Sequence, residues 1–373
     1  MHKIAGLVVT CALVSVTGCG SHDAGHGGTT AAAPASVAIS AITTDAVYVV
    51  NGGDSTIAVL DASSGSVLGK IQLTNVSYPH HVYLSPDRGK IAVAVPGHDL
   101  SMGHSAAAQP GGVHGGGEHG GGEHGGAEAS GGAVLVLDAT TGATLRSRRL
   151  ESSNHNSIFS PDGREIWTAL LREDGAVLVL DAETLETKQT IKVGRVPAEV
   201  TFTPDGKYAF VANGTSDDIS VVDVASKVVV KTIAVDREPV GAWPGADGLM
   251  YVDCEVAKSI KVIDPRTLEV VRTYSLGFTP GIASVPPGRT SELWVTDTDS
   301  GKVVFNKTDA DAKVAELATA AGAHALAFTT DGKTAFVTNQ NGDSITLIDA
   351  ATRATKITIP VGSKPNGIVF RAK

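Results

Sequence analysis

The sequence predicts an all-β fold, a seven-bladed β-propeller with four-stranded antiparallel blades, its ring closed by the C-terminal strand joining the N-terminal blade. Three observations predict it. A short apolar strand ending in Asp recurs along the chain, each copy has the same turn and strand neighbours in the same order, and Val, Ile and Thr dominate the apolar segments while aromatics make up only 5% of residues. β-Branched side chains suit a pleated surface packed on its neighbours.

The recurring strands are IAVLD ending at Asp61, VLVLD at Asp138, VLVLD at Asp181, ISVVD at Asp223, IKVID at Asp264 and ITLID at Asp349, with a weaker copy, VVFN, ending at Asn306. Their spacings are 77, 43, 42, 41, 42 and 43 residues, so one gap is about 35 residues too long. Upstream of each lies a strand such as YVVN (48–51), YAFVAN (208–213) or AFVTN (335–339), and before that a turn such as SPDG (160–163), TPDG (203–206) or TTDG (329–332). Pro fixes φ and Gly supplies positive φ, as a tight turn requires. Downstream comes a polar turn and an outer strand such as KVVVKTIAV (227–235). Four short strands per roughly 42 residues is the pattern of a propeller blade.

YVVN, FVAN and FVTN followed by an apolar strand ending in Asp resemble the YVTN family of seven-bladed propellers, and the resemblance covers residues 46–370. The chain begins at a second strand (AVYVV, 46–50) and ends on a first strand (PNGIVF, 365–370), so the last strand should complete the first blade. Closure removes exposed sheet edges. An eighth blade, with SVAISAI (36–42) as its inner strand, is the alternative count.

The overlong gap falls between strands IAVAV (91–95) and AVLVLD (133–138), the second and third strands of blade 2. The insertion, 97–132, is a single expanded loop containing GGVHGGGEHGGGEHGG (111–126). It holds His98, His104, His114, His119 and His124, with Asp99, Glu118, Glu123 and Glu128. Neutral imidazole and carboxylate bind Zn²⁺, and His-rich tracts are a metal-binding composition. Cu²⁺ and Ni²⁺ also favour imidazole. A Gly-rich backbone lets spaced ligands wrap a cation at a large entropic cost, so moderate affinity and fast exchange are expected.

A second histidine set lies within the repeat. Seven residues before the turn aspartates Asp87, Asp162 and Asp331 stand His80, His155 and His324. The equivalent residues elsewhere are Ala198, Val240, Gly281 and, in blade 1, Asn366. The three histidines and Asn366 therefore sit on four consecutive blades, at the opening of the innermost strand beside the central channel. His81 is a candidate fourth ligand, and Glu199, which aligns with it, is a weaker carboxylate candidate. Three imidazoles plus one more donor suffice for a tetrahedral Zn²⁺ site. Loops from an outer strand to the next inner strand, and from second to third strand, emerge on one side of a propeller, so the His-rich loop belongs on the face where these histidines gather.

The N-terminus carries an export signal. Met1-His2-Lys3 precedes an apolar run, Ile4 to Val16, too short to span a bilayer comfortably. Val16-Thr17-Gly18-Cys19 resembles a bacterial lipobox, which implies cleavage after residue 18 and lipidation of Cys19; an ordinary secretory signal is the other reading. Residues 19–36, with His22 and His26, read as a flexible tether, leaving 37–373 for the propeller. Among three cysteines (Cys11, Cys19, Cys254), only Cys254 remains as a free thiol. It occupies the place of Asn51, Asn213 and Asn339 and is expected to be a buried, inert thiol. The blade-end aspartates are expected to cap turns, and Trp167, Trp243 and Trp294 to belong to the core.

Net charge is −9 with no basic run, which argues against nucleic-acid binding. There is no CxxCH, GxSxG or Walker motif. Propeller, His loop and export signal together resemble the periplasmic zinc metallochaperones of the AztD type. The resemblance implies a monomeric, non-enzymatic cell-envelope protein that captures Zn²⁺ and hands it to the solute-binding protein of an ABC importer. The insertion histidines, helped by Glu118 and Glu123, would collect metal, and His80, His81, His155 and His324 would hold it. Protonated imidazole cannot ligate, so affinity should fall as pH drops through about 6.5. A propeller enzyme of lactonase or lyase type with a metal at the channel mouth, and a surface-attached interaction propeller, are the alternatives.

Overall fold

A computed structural model describes residues 32–100 and 131–373. These residues form seven antiparallel sheets. Blade 2 consists of β5 (Val82–Leu84), β6 (Lys90–Val95), β7 (Ala133–Asp138) and β8 (Thr144–Arg149) in that order from the axis outward. Blade 4 runs β13 (Pro197–Phe202), β14 (Tyr208–Asn213), β15 (Asp218–Asp223) and β16 (Val228–Ala234). The inner strands pack on one another around the ring, except that blade 3 meets β13 of blade 4 through its second strand, β10 (Glu165–Leu170), so the ring is complete.

Closure is made by β29 (Pro365–Arg371), which pairs with β2 (Ala46–Asn51) as the inner strand of blade 1, from Ala46 opposite Arg371 to Asn51 opposite Pro365. Seven blades result. The segment 36–42 does not found an eighth: β1 (Ala35–Val37) instead adds a fifth, outermost strand to blade 1 by pairing with β4 (Val67–Thr74). Its short length and its bonding to an outer edge explain why an alternating apolar pattern there resembled an inner strand.

Stacking dictates the burial pattern. Strands two and three of a blade are covered on both faces by the neighbouring blades, so β7 and β14 are buried at nearly every position, whereas the outermost β16 is exposed or half-exposed along most of its length. Hence the continuous apolar runs VLVL and YAFVA, in place of alternation. Each fully buried Val, Leu or Ile contributes about 1.5–3 kcal/mol. Third and fourth strands share a register shift at the same place in every blade, as between Val221 and Val222, a bulge that increases the twist of the outer edge.

Local turn chemistry sets the reversals. Asp61 Oδ1 accepts from the backbone N–H of Ser63 and Ser64 at 3.1 and 2.9 Å, and Asp138, Asp181 and Asp349 repeat the arrangement. At the SPDG turn, Ser160 donates to Asp162 at 2.6 Å and Gly163 takes φ +73°. Every first strand therefore runs from the same face of the disc toward these turns, and that starting face carries His80, His155 and His324.

Candidate metal centre

The entry to the inner strand of blade 2 is tied down by backbone bonds. His80 N–H donates to Ala94 C=O at 2.9 Å, and Ala94 N–H donates to His81 C=O at 3.1 Å. Gly367 of β29 then approaches so closely that its N–H donates to His80 C=O at 2.9 Å, while an added Cβ would stand 2.6 Å from that oxygen and 2.7 Å from His81 Cα. In blade 3 the inner strand β9 is only Ile158–Phe159, and His155 lies in the segment leading to it. Asn156 next to it is clamped to blade 4: its Nδ2 donates to Val200 C=O at 2.8 Å and its Oδ1 accepts from Val200 N–H at 3.2 Å.

These constraints bring His80, His81 and His155 together, with one ligating atom of each within 4.8 Å of the others. All three are buried, at 6%, 4% and 2% exposure. Nε2 of His80 lies 2.9 Å from Nε2 of His155, so one of the two nitrogens carries a proton in this arrangement. Glu199, from β13 of blade 4, completes the group. Its Oε1 is 3.0 Å from Nε2 of His81 and 3.0 Å from Nδ1 of His155, and its Oε2 accepts from the Tyr83 hydroxyl at 3.4 Å.

Glu199 is 1% exposed, and burial pushes its carboxyl well above the usual range, with the charge of Asp253 adding to the effect. Asp253 is fully buried and likewise raised by burial and then by Glu255. It accepts from Trp243 Nε1 at 2.5 Å. A buried carboxyl that a neighbouring carboxylate raises further is held ionised most readily by a cation nearby. The donor set also fits one: tetrahedral Zn²⁺ with bonds of about 2.0–2.1 Å places its ligand atoms roughly 3.3 Å apart. The 2.9 Å between Nε2 of His80 and Nε2 of His155 lies near that spacing, while Glu199 meets His155 at its other ring nitrogen.

The expected residues divide into four groups. His80, His81 and His155 converge. His324, half-buried at the start of β25 (Ala323–Phe328), stands one step away, its ring centroid 6.3 Å from that of His80 and 6.5 Å from that of His81. His98 sits at the root of the insertion with Nδ1 3.3 Å from the Ser153 hydroxyl, its imidazole pushed below the ordinary value by burial. His104, His114, His119, His124, Glu118, Glu123 and Cys19 lie outside the described residues. Cys254 is buried beside Asp253, its thiol pushed up to about 12 by burial and that carboxyl, so it stays a neutral thiol.

Sequence reasoning missed Tyr83, Asp253 and the role of Trp243. Trp243 lines a cavity of about 170 Å³ in the channel beside the cluster, together with His81, Tyr83, Ser284, Ile282 and Leu326. The signal for Glu199 was present in its alignment with His81; Tyr83 has the parity of a channel-facing residue two positions later.

Fold and site together define a seven-bladed β-propeller with a buried histidine–carboxylate cluster at one mouth of its channel. Residues 152–296 match the family model of the YNCE-like beta-propellers. No curated protein matches the chain. Several solved structures share the fold at low identity. The periplasmic gluconolactonase PpgL of Pseudomonas aeruginosa is 18% identical with a TM-score of 0.68, over 88% of this chain and 99% of that one. Kuenenia stuttgartiensis hydrazine synthase is 18% identical with a TM-score of 0.63, over 78% and 89%. The dihydro-heme d1 dehydrogenase NirN, solved with DHE, is 14% identical with a TM-score of 0.60, over 90% and 79%. Identities this low establish the fold alone. Among the described residues no helix is long and apolar enough to cross a membrane.

Proposed function

We propose that the protein is an exported zinc-binding metallochaperone, anchored in the cell envelope through Cys19. It captures Zn²⁺ with the His-rich insertion and the channel-mouth cluster and passes it to the solute-binding protein of an ABC zinc importer. The observation that carries this reading is the convergence of His80, His81 and His155 within 4.8 Å around the buried Glu199. Imidazoles from two blades and a carboxylate from a third meet there, and a borderline-soft divalent cation suits that donor set.

Roles follow from the contacts. His80, His81 and His155 supply nitrogen ligands. Glu199 holds His155 by its Nδ1 side, leaving Nε2 toward His80, the carboxylate–histidine arrangement that fixes ring orientation at metal sites. His324 is a reserve donor at the rim. The insertion collects metal. The test is metal analysis of the purified protein followed by zinc transfer to a zinc-specific solute-binding protein from the same cell. Retention of one zinc and its appearance on the recipient supports the reading; a protein that takes up no zinc contradicts it.

The cavity beside His81 favours a second reading. Its volume of about 170 Å³ and the polar edges of Tyr83, Ser284 and Trp243 suit a small substrate. A metal held by the histidines would then act as a Lewis acid on that substrate. Turnover of a lactone by the zinc-loaded protein, lost in His155→Ala, would establish it.

A further inference from the structure

The histidine cluster is buried although it lies at a channel mouth, and residues 97–100 cross the entry segments of the blades around it. Residues 97–100 leave the end of β6 in blade 2 and continue over that mouth. Gly97 takes φ +90°. His98 then faces Ser153 in the segment before the inner strand of blade 3, and the Ser153 hydroxyl donates to Pro96 C=O at 2.9 Å. Asp99 pairs with Lys364, which lies just before β29 of blade 1. Leu100 is 3% exposed and packs with Leu171, Val196, Ala198 and Val240.

Ala198 and Val240 are the blade 4 and blade 5 equivalents of His80 and His155. The ring of seven equivalent positions is thus split. One arc carries His80, His155, His324 and Asn366; the other carries Ala198, Val240 and Gly281, where small or slender side chains leave room. Leu100 fills part of that second arc. One short strap therefore touches blades 1, 3, 4 and 5 while rooted in blade 2.

We propose that residues 97–100 are a stopper over the metal centre. Leu100 is its plug and the Asp99–Lys364 pair its latch, and withdrawal of the plug sets the rate at which metal enters and leaves. Because the strap is the root of the His-rich insertion, the collecting segment and the door to the centre are one piece of chain. The gating part rests on the metal-binding reading; the covering part does not.

The experiment compares wild type with Leu100→Ala, Leu100→Met and Lys364→Ala, each checked for an intact thermal transition. Diethyl pyrocarbonate labels accessible imidazoles, and peptide mass spectrometry resolves His80, His81 and His155. Labelling of these three should rise at least about tenfold in Leu100→Ala and in Lys364→Ala, the change that ~1.4 kcal/mol in a local opening equilibrium produces, and stay near wild type in Leu100→Met. Unchanged labelling in folded Leu100→Ala and Lys364→Ala overturns the stopper. In the same variants, zinc release to a chelator should accelerate by a similar factor while Kd changes less than about threefold, because a door alters both rates together. Faster labelling without faster zinc exchange overturns the gating role. Should wild type bind no zinc, the metal reading and the gating fail together, and labelling still decides whether the strap covers the cluster.

Discussion

Oε1 of Glu199 in blade 4 stands 3.0 Å from Nε2 of His81 in blade 2, two blades away around the ring. Only a closed propeller brings these side chains together, and the contact makes the carboxylate part of the centre. Glu199→Gln keeps the shape and removes the charge. Zinc affinity should fall about 10–100-fold, the usual cost of losing a partner that orients a ligand, with the thermal transition retained. Chelator competition measures it; an unchanged Kd would remove Glu199 from the centre.

The structure ranks the histidines. His155→Ala removes an imidazole whose Nε2 meets His80 and whose Nδ1 meets Glu199, and should weaken zinc binding by more than Glu199→Gln does. His324→Ala should change Kd less than about threefold, roughly 0.6 kcal/mol, because its ring centroid stands 6.3 Å from that of His80. Equal losses in the two variants would make His324 a full ligand.

Gly367 links ring closure to the site. A Cβ there would stand 2.6 Å from His80 C=O, closer than packing tolerates. Gly367→Ala should destabilise the protein by about 1–3 kcal/mol, the usual cost of overpacking, and weaken zinc binding with it. Urea denaturation with and without zinc measures both. A variant as stable as wild type would mean that β29 approaches blade 2 less tightly.

The turn aspartates set the acid limit of stability. Hydrogen bonds to the ionised form hold Asp61, Asp162, Asp205 and Asp349 below the usual carboxylate value, and Asp331 is lowered to about 2, first by the Thr329 hydroxyl. A carboxyl depressed in the folded state contributes stability above the unfolded value near 3.9, and that contribution is lost as pH falls through the folded value. Thermal midpoints should therefore decline steadily as pH drops from about 5 toward 2. Asp331→Asn should flatten its share of that decline. A midpoint insensitive to pH over this window would contradict the capping role.

The fold was legible because its determinants are local. Pro-Asp-Gly turns, blade-end aspartates and apolar runs recur at nearly constant spacing, and each is a matter of a few adjacent residues. Counting back from the turn aspartate placed His80, His155 and His324 on one face, since strand register is fixed by the turn. The count could not say which of them touch, because that depends on how each entry segment is held: His155 is pulled in by Asn156 bonding to blade 4, whereas His324 lies within β25 where its register with the next strand shifts. Leu100 was not legible at all. A single leucine in a polar insertion has no period, and its socket is assembled from three other blades. Residues 36–42 left an eighth blade open as the alternative count for the opposite reason, since alternating apolar residues fit an inner strand and an outer edge equally well.

The measurement that tests the central claim most directly is zinc stoichiometry and affinity, by chelator competition, on the mature protein and on a version lacking residues 101–130. The shortened protein keeps His98, the strap and the buried cluster. It should still bind one zinc with an affinity close to that of the intact chain. Loss of tight binding on removing those residues would place the metal site in the insertion and leave His80, His81, His155 and Glu199 as a structural cluster.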